Sequence, residues 1–82
     1  MADITMYTTA TCGYCHMQKS YLQSKGIKYE EKHADKDPAL AQELMEKSGQ
    51  LGVPFTIISK DGKEEKILGF DKHKIDKVLQ LT

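Results

Sequence analysis

Apolar residues recur along this chain at two different spacings, and the changes of spacing divide it into strands and helices. Ile4-Thr5-Met6-Tyr7 joins apolar to β-favouring residues and predicts a first strand over Asp3 to Tyr7. Met17, Tyr21 and Leu22 then repeat at helical intervals, which predicts a helix from Gly13 to Ser24 with Gly26 as its stop. Gln18 disturbs that stripe. Its spacing to Tyr21 and Leu22 turns it partly inward, so it sits at the helix edge or the helix is rotated from this register. Ile27-Lys28-Tyr29 alternates apolar with polar before Glu30-Glu31-Lys32 becomes fully charged, the pattern of a sheet-edge strand over 27–32. Asp37 and Pro38 suit the cap and first position of a helix, Leu40, Leu44 and Met45 supply its buried stripe, and Ser48-Gly49 ends it. Val53 to Ile58 is the most strand-like run, and Pro54 is tolerated there because it stands at the start. Asp61-Gly62 predicts a hairpin into a last strand, Lys63 to Leu68. Gly69-Phe70-Asp71 turns the chain once more, and Asp71 caps a final helix carrying Ile75, Val78 and Leu79.

The predicted order is therefore βαβαββα, an α/β arrangement. A helical crossover makes the first two strands parallel, and the hairpin makes the last two antiparallel. A chain of 82 residues can bury one modest core and not two, so residues 1–82 read as a single domain. Twelve basic and twelve acidic residues cancel, which removes any bulk attraction to nucleic acid or to a membrane surface. No apolar run approaches the length of a membrane span, and the N-terminus lacks a signal-peptide pattern, so a cytoplasmic location is expected.

The chemistry is concentrated at one junction. The two cysteines of the chain, Cys12 and Cys15, stand where the first strand gives way to the first helix. A cysteine at a helix start faces free backbone N–H groups and the positive end of the helix dipole, which favour thiolate over thiol. Thiolate is the form that attacks a disulfide, and a second cysteine one turn deeper is placed to resolve the mixed disulfide. Cys12 is thus assigned as nucleophile and Cys15 as resolving thiol. Two plainer readings are an inert buried pair and a zinc site that recruits His16, His33 or His73. Structural zinc needs a second ligand pair at suitable spacing, and these histidines stand singly, so no metal site is expected. His16 reads as a solvated helix residue.

With these motifs in order, the chain resembles the glutaredoxin family of the thioredoxin fold over essentially its whole length. The resemblance rests on Thr11-Cys12-Gly13-Tyr14-Cys15 after the first strand, Val53-Pro54 opening the third, and Gly69-Phe70-Asp71 before the last helix. It implies a four-stranded mixed sheet of order 2-1-3-4 flanked by three helices. It also implies a cis Pro54 against the dithiol, leaving the Val53 backbone N–H and C=O for a substrate chain or glutathione. In glutathione-using relatives the tripeptide is held by positions matching Tyr14, Val53, Pro54 and Asp71. Three departures stand out: Thr9 replaces a basic residue, Leu68-Gly69 replaces paired glycines, and Lys72 replaces a second acid. Charge reversal at Lys72 turns attraction of the ligand's amine into repulsion, and one such surface contact is worth about 0.5 to 1 kcal/mol. Lys19 or Gln50 remains to attract the glycyl carboxylate.

The resemblance implies a monomeric thiol–disulfide oxidoreductase, with no tightly bound cofactor and glutathione as cosubstrate, acting on protein disulfides or glutathione mixed disulfides. An alternative within the fold is a glutaredoxin-like redoxin reduced by thioredoxin reductase and serving ribonucleotide reductase, with Leu51 and Phe55 as a docking patch. A third reading, from a different class, is a carrier of an iron–sulfur cluster shared between two subunits. Relatives with that main role usually have serine at the position of Cys15, which argues against it.

Overall fold

The computed structural model describes residues 3–80. Four strands form one sheet in the order β2-β1-β3-β4, with β1 at Asp3–Thr8, β2 at Glu30–His33, β3 at Phe55–Lys60 and β4 at Lys63–Leu68. The helices are α1 (Gly13–Ser24), α2 (Pro38–Ser48) and α3 (Lys72–Leu79). β1 and β2 run parallel, whereas β1–β3 and β3–β4 are antiparallel. This is the thioredoxin-like architecture that the resemblance implied.

β3 lies inside the sheet, and residues 54–58 are buried without a break, as expected of a strand covered on both faces. Its side chains divide the core. Ile58 joins Ile4, Leu22, Ile67 and Ile75 on the face covered by α1 and α3. Phe55 and Ile57 join Tyr7, Ala34 and Leu44 on the face covered by α2.

The helix ends follow from local chemistry. Asp37 accepts the Ala39 N–H at 2.9 Å, with Pro38 at the first helical position, and Asp71 accepts the Lys74 N–H at 3.1 Å. α1 ends in a double backbone clasp in which Gly26 N–H donates to Gln23 and Ile27 N–H to Leu22, each at 3.0 Å. Gly26 has a φ of 68°, the left-handed position that glycine fills at such an end.

That clasp corrects the predicted second strand. Ile27 spends its N–H on the helix end, and the parallel ladder begins only where Glu30 meets Thr5. Ile27 and Tyr29 still pack against the core around Leu22, but as connecting chain. The third strand likewise starts at Phe55 and not at Val53, since Pro54 has no N–H to give a ladder. In α2, Leu44 is buried while Met45 is 43 % exposed, so the apolar stripe is narrower than expected. Phe55 is only 3 % exposed, which removes it from any docking patch and leaves Leu51 alone outside.

Candidate dithiol site

The strand registers bring the motifs to one end of the sheet. Tyr7 pairs with Phe55, and Phe55 pairs with Leu68. The loop leaving β1, the Val53-Pro54 entry to β3 and the turn leaving β4 therefore share that end. A hydrogen bond of 2.8 Å from Gly69 N–H to Pro54 C=O ties the last two together. Gly69 has a φ of 78°, which favours glycine there.

The dithiol loop is strapped from both sides. Ala10 N–H donates to Asp35 Oδ2 at 3.0 Å, and His16 Nε2 lies 3.3 Å from Ala10 C=O. The Ala10 N–H holds the Asp35 carboxyl below its ordinary value, more than offsetting burial. Cys12 is the cap residue of α1, and Cys15 N–H points at Cys12 Sγ from 3.0 Å. The two sulfurs lie at bonding distance as a disulfide, with Cα atoms 5.2 Å apart. Cys15 is wholly buried while Cys12 is half-buried. A partly exposed cysteine at the helix start and a buried one a turn below is the asymmetry that disulfide exchange needs.

Tyr14 stands 65 % exposed beside the dithiol. The Val53-Pro54 bond is cis, as the resemblance implied. Among the described residues, the Val53 N–H and C=O enter no hydrogen bond. Asp71 is exposed, but its carboxylate already caps α3. A shallow apolar groove lined by His16, Met17, Ser20, Tyr21 and Phe70 runs between α1 and the turn before α3. A second groove, between α3 and the β3–β4 hairpin, includes Asp71 but neither cysteine.

The residues named as helpers are otherwise engaged. Lys19 pairs with Glu31 at 3.0 Å, and Glu31 also accepts the Thr8 hydroxyl at 2.7 Å. Burial raises the Glu31 carboxyl, but Thr8, Lys19 and His33 outweigh it and leave it below its ordinary value. The Gln50 side chain folds onto the Gly52 backbone. Lys72 is held by Asp76 at 3.3 Å and lies 5.2 Å from the centre of the Tyr21 ring. Among the described residues no cluster of three or more His, Cys, Asp or Glu is placed to hold a metal ion.

One feature escaped the sequence and a second was only half legible in it. Asp35 gives no local sign that it will reach back to Ala10 across the sheet end. Gln18 did give a sign, an inward spacing, and it is fully buried: Nε2 donates to Thr56 Oγ1 at 2.6 Å.

A sheet of this order with a cysteine pair opening a helix and a cis proline at the same end of the sheet defines a thioredoxin-fold disulfide exchanger. The glutaredoxin family model matches residues 4–63, and the chain belongs to that family. It is similar to glutaredoxin 3 of Escherichia coli K12, 41 % identical over 58 residues covering 71 % of this chain and 70 % of that protein. An uncharacterized glutaredoxin-like 8.6 kDa protein in the rubredoxin operon of Clostridium pasteurianum is 38 % identical over 77 residues, covering 94 % and 97 %. Among solved structures, the glutaredoxin of Archaeoglobus fulgidus superposes with a TM-score of 0.75 at 25 % identity, over 98 % of this chain and 88 % of that one. The protein is a thiol–disulfide oxidoreductase.

Proposed function

We propose that Cys12 and Cys15 carry the reaction, that glutathione returns the electrons, and that Tyr14, Val53, Pro54 and Asp71 hold the glutathione moiety. The observation that carries this reading is the Cys15 N–H aimed at Cys12 Sγ, with Cys15 buried behind it. The same N–H stabilises negative charge on Cys12 once the disulfide is opened. Cys12 thiolate attacks one sulfur of the target disulfide, a new S–S bond forms, and the other sulfur departs as thiolate. Cys15 thiolate then attacks Cys12 Sγ, releases the second target thiol, and closes the Cys12–Cys15 disulfide. Two glutathione molecules restore the dithiol and leave as glutathione disulfide. Val53 offers its unused N–H and C=O to an extended peptide, which glutathione also is. Residues 1–82 act as one monomeric domain in a reducing compartment, the cytoplasm, with disulfide-bearing proteins as substrates.

A second reading, electron supply from thioredoxin reductase, is favoured by the engagement of Lys19 with Glu31 and of Gln50 with Gly52. Both side chains named for the glycyl carboxylate are thereby occupied. Following NADPH oxidation with a small disulfide separates the two. One reaction contains glutathione and glutathione reductase, the other thioredoxin reductase alone. Turnover with glutathione is the expected result; turnover confined to thioredoxin reductase reverses the assignment.

A further inference from the structure

Gln18 is a buried polar group that disulfide exchange, as described, leaves unused. It is 0 % exposed and faces the sheet from the middle of α1. Its Nε2 lies 2.9 Å from Met6 Sδ and 2.6 Å from Thr56 Oγ1. A thioether has no proton to donate, so the Met6 contact fixes that end of the amide as the nitrogen. The other end, Oε1, is buried with no hydrogen-bond partner among the described residues. A buried acceptor in that state is costly, and native proteins seldom keep one without a use.

Cys15 precedes Gln18 by one helical turn, on the same face and equally buried. Long side chains on a helix lean toward its N-terminus and cover the turn before their own Cα. That lean directs Gln18 toward the turn that carries Cys15. While Cys15 Sγ is bonded to Cys12 it has no proton to offer. Reduction supplies one, because burial and the neighbouring Cys12 thiolate both keep the Cys15 thiol protonated.

We propose that Gln18 is a positioning residue for the redox step, its carbonyl accepting the Cys15 S–H in the dithiol form alone. This rests on the reading of Cys12 and Cys15 as the exchanging pair. In the balanced step, a reducing dithiol gives up two electrons and two protons and closes to its own disulfide. The Cys12–Cys15 bond breaks, one proton resides on Cys15 directed at Gln18 Oε1, and the other passes from Cys12 to solvent as that sulfur remains thiolate. Gln18 thus favours the reduced state and raises the potential of the couple, tuning which disulfides the protein can open.

The test is a redox titration of the wild type and Gln18→Met against dithiothreitol, read by thiol alkylation and mass. Loss of the Nε2 bond to Thr56 acts on both redox forms and cancels. Loss of the carbonyl acts on the reduced form alone. The equilibrium constant for reduction is expected to fall about threefold to tenfold, a shift of about 15–30 mV toward negative potential for a two-electron couple. Equal potentials overturn the proposal, whether the S–H turns to a backbone carbonyl or the amide is satisfied in both states. Should Gln18→Met fail to fold, Cys12→Ser leaves Cys15 as the sole thiol. Its infrared S–H band is expected below that of an alkyl thiol in an apolar solvent, and an unshifted band overturns the proposal. Since the titration follows the disulfide itself, failure of the NADPH assay strikes the function assigned above and leaves this measurement intact.

Discussion

Tyr7 shows how a single side chain links core to surface. Its ring is fully buried against Phe55, while its hydroxyl donates to Glu43 on α2. Burial, reinforced by that hydrogen bond and the neighbouring carboxylate charge, pushes the phenol well above its ordinary value, so Tyr7 remains a donor. Glu43 in turn is held below its ordinary value by the hydrogen bond from Lys32, 2.7 Å away, and by Tyr7. Glu43→Ala leaves a buried hydroxyl without its acceptor and is expected to lower the unfolding free energy by about 1–2 kcal/mol in urea melts. Tyr7→Phe removes the same bond along with its donor and should cost less. A larger loss from Tyr7→Phe would contradict this account. At the site, Cys12→Ser is expected to abolish disulfide turnover, because the accessible nucleophile is gone. Cys15→Ser should retain reduction of glutathione mixed disulfides, in which free glutathione does the resolving. Full turnover by Cys12→Ser would refute the assignment.

At the scale of elements, most boundaries are written locally. Asp37-Pro38, Gly49, Asp61-Gly62 and Asp71 each punctuate the chain through a cap or a turn, and each stands where the sequence placed it. Asp61 and Gly62 have φ of 53° and 78°, the left-handed pair that two-residue hairpins require. The misplaced boundaries are those decided by a partner. Ile27 to Tyr29 looks like strand, yet the N–H of Ile27 belongs to the end of α1. Met45 lies on an apolar stripe by spacing but stays 43 % exposed. Gly69 joins an element end to the site. Gly69→Ala meets no atom within 4 Å, so its cost is that of a left-handed backbone, about 1 kcal/mol in unfolding free energy. Because Gly69 anchors Pro54, KM for the disulfide substrate should rise with kcat little changed. An unchanged KM would show that the turn does not shape the cleft.

Across the whole molecule, four carboxyls spread along the chain, Glu31, Asp35, Glu43 and Asp76, lie below their ordinary values. Tyr21 and Lys72 hydrogen-bond Asp76 and outweigh its burial. A carboxyl depressed in the folded state contributes stability in full above its unfolded value and loses it as pH falls toward the folded one. With unfolded values of about 3.9–4.3, Tm should be level from neutrality to about pH 5 and drop steeply by pH 3. Tyr7 and Tyr21 are shifted upward, Tyr21 chiefly by its hydrogen bond to Asp76, so stability should also decline above about pH 10. A Tm that stays level between pH 6 and pH 3 would refute the acid limb.

The sequence by itself determined the element order, the caps and turns, the cysteine pair at a helix start, the parallel sense of the first two strands and the antiparallel sense of the last two. These are properties of neighbouring residues, since spacing, capping and turn chemistry act within a few positions of the chain. Tertiary structure decided what depends on residues far apart: the loop strapped by Asp35, the Gly69 bond to Pro54, the pairing of Lys19 with Glu31, and the partners that the inward-leaning Gln18 meets on the sheet. Those contacts join residues from different elements or loops, and a contact across the sheet leaves no periodic trace in the chain. Cys15 shows the division well. Its place one turn from Cys12 is legible in the sequence, but only the packed sheet beneath α1 seals it from solvent.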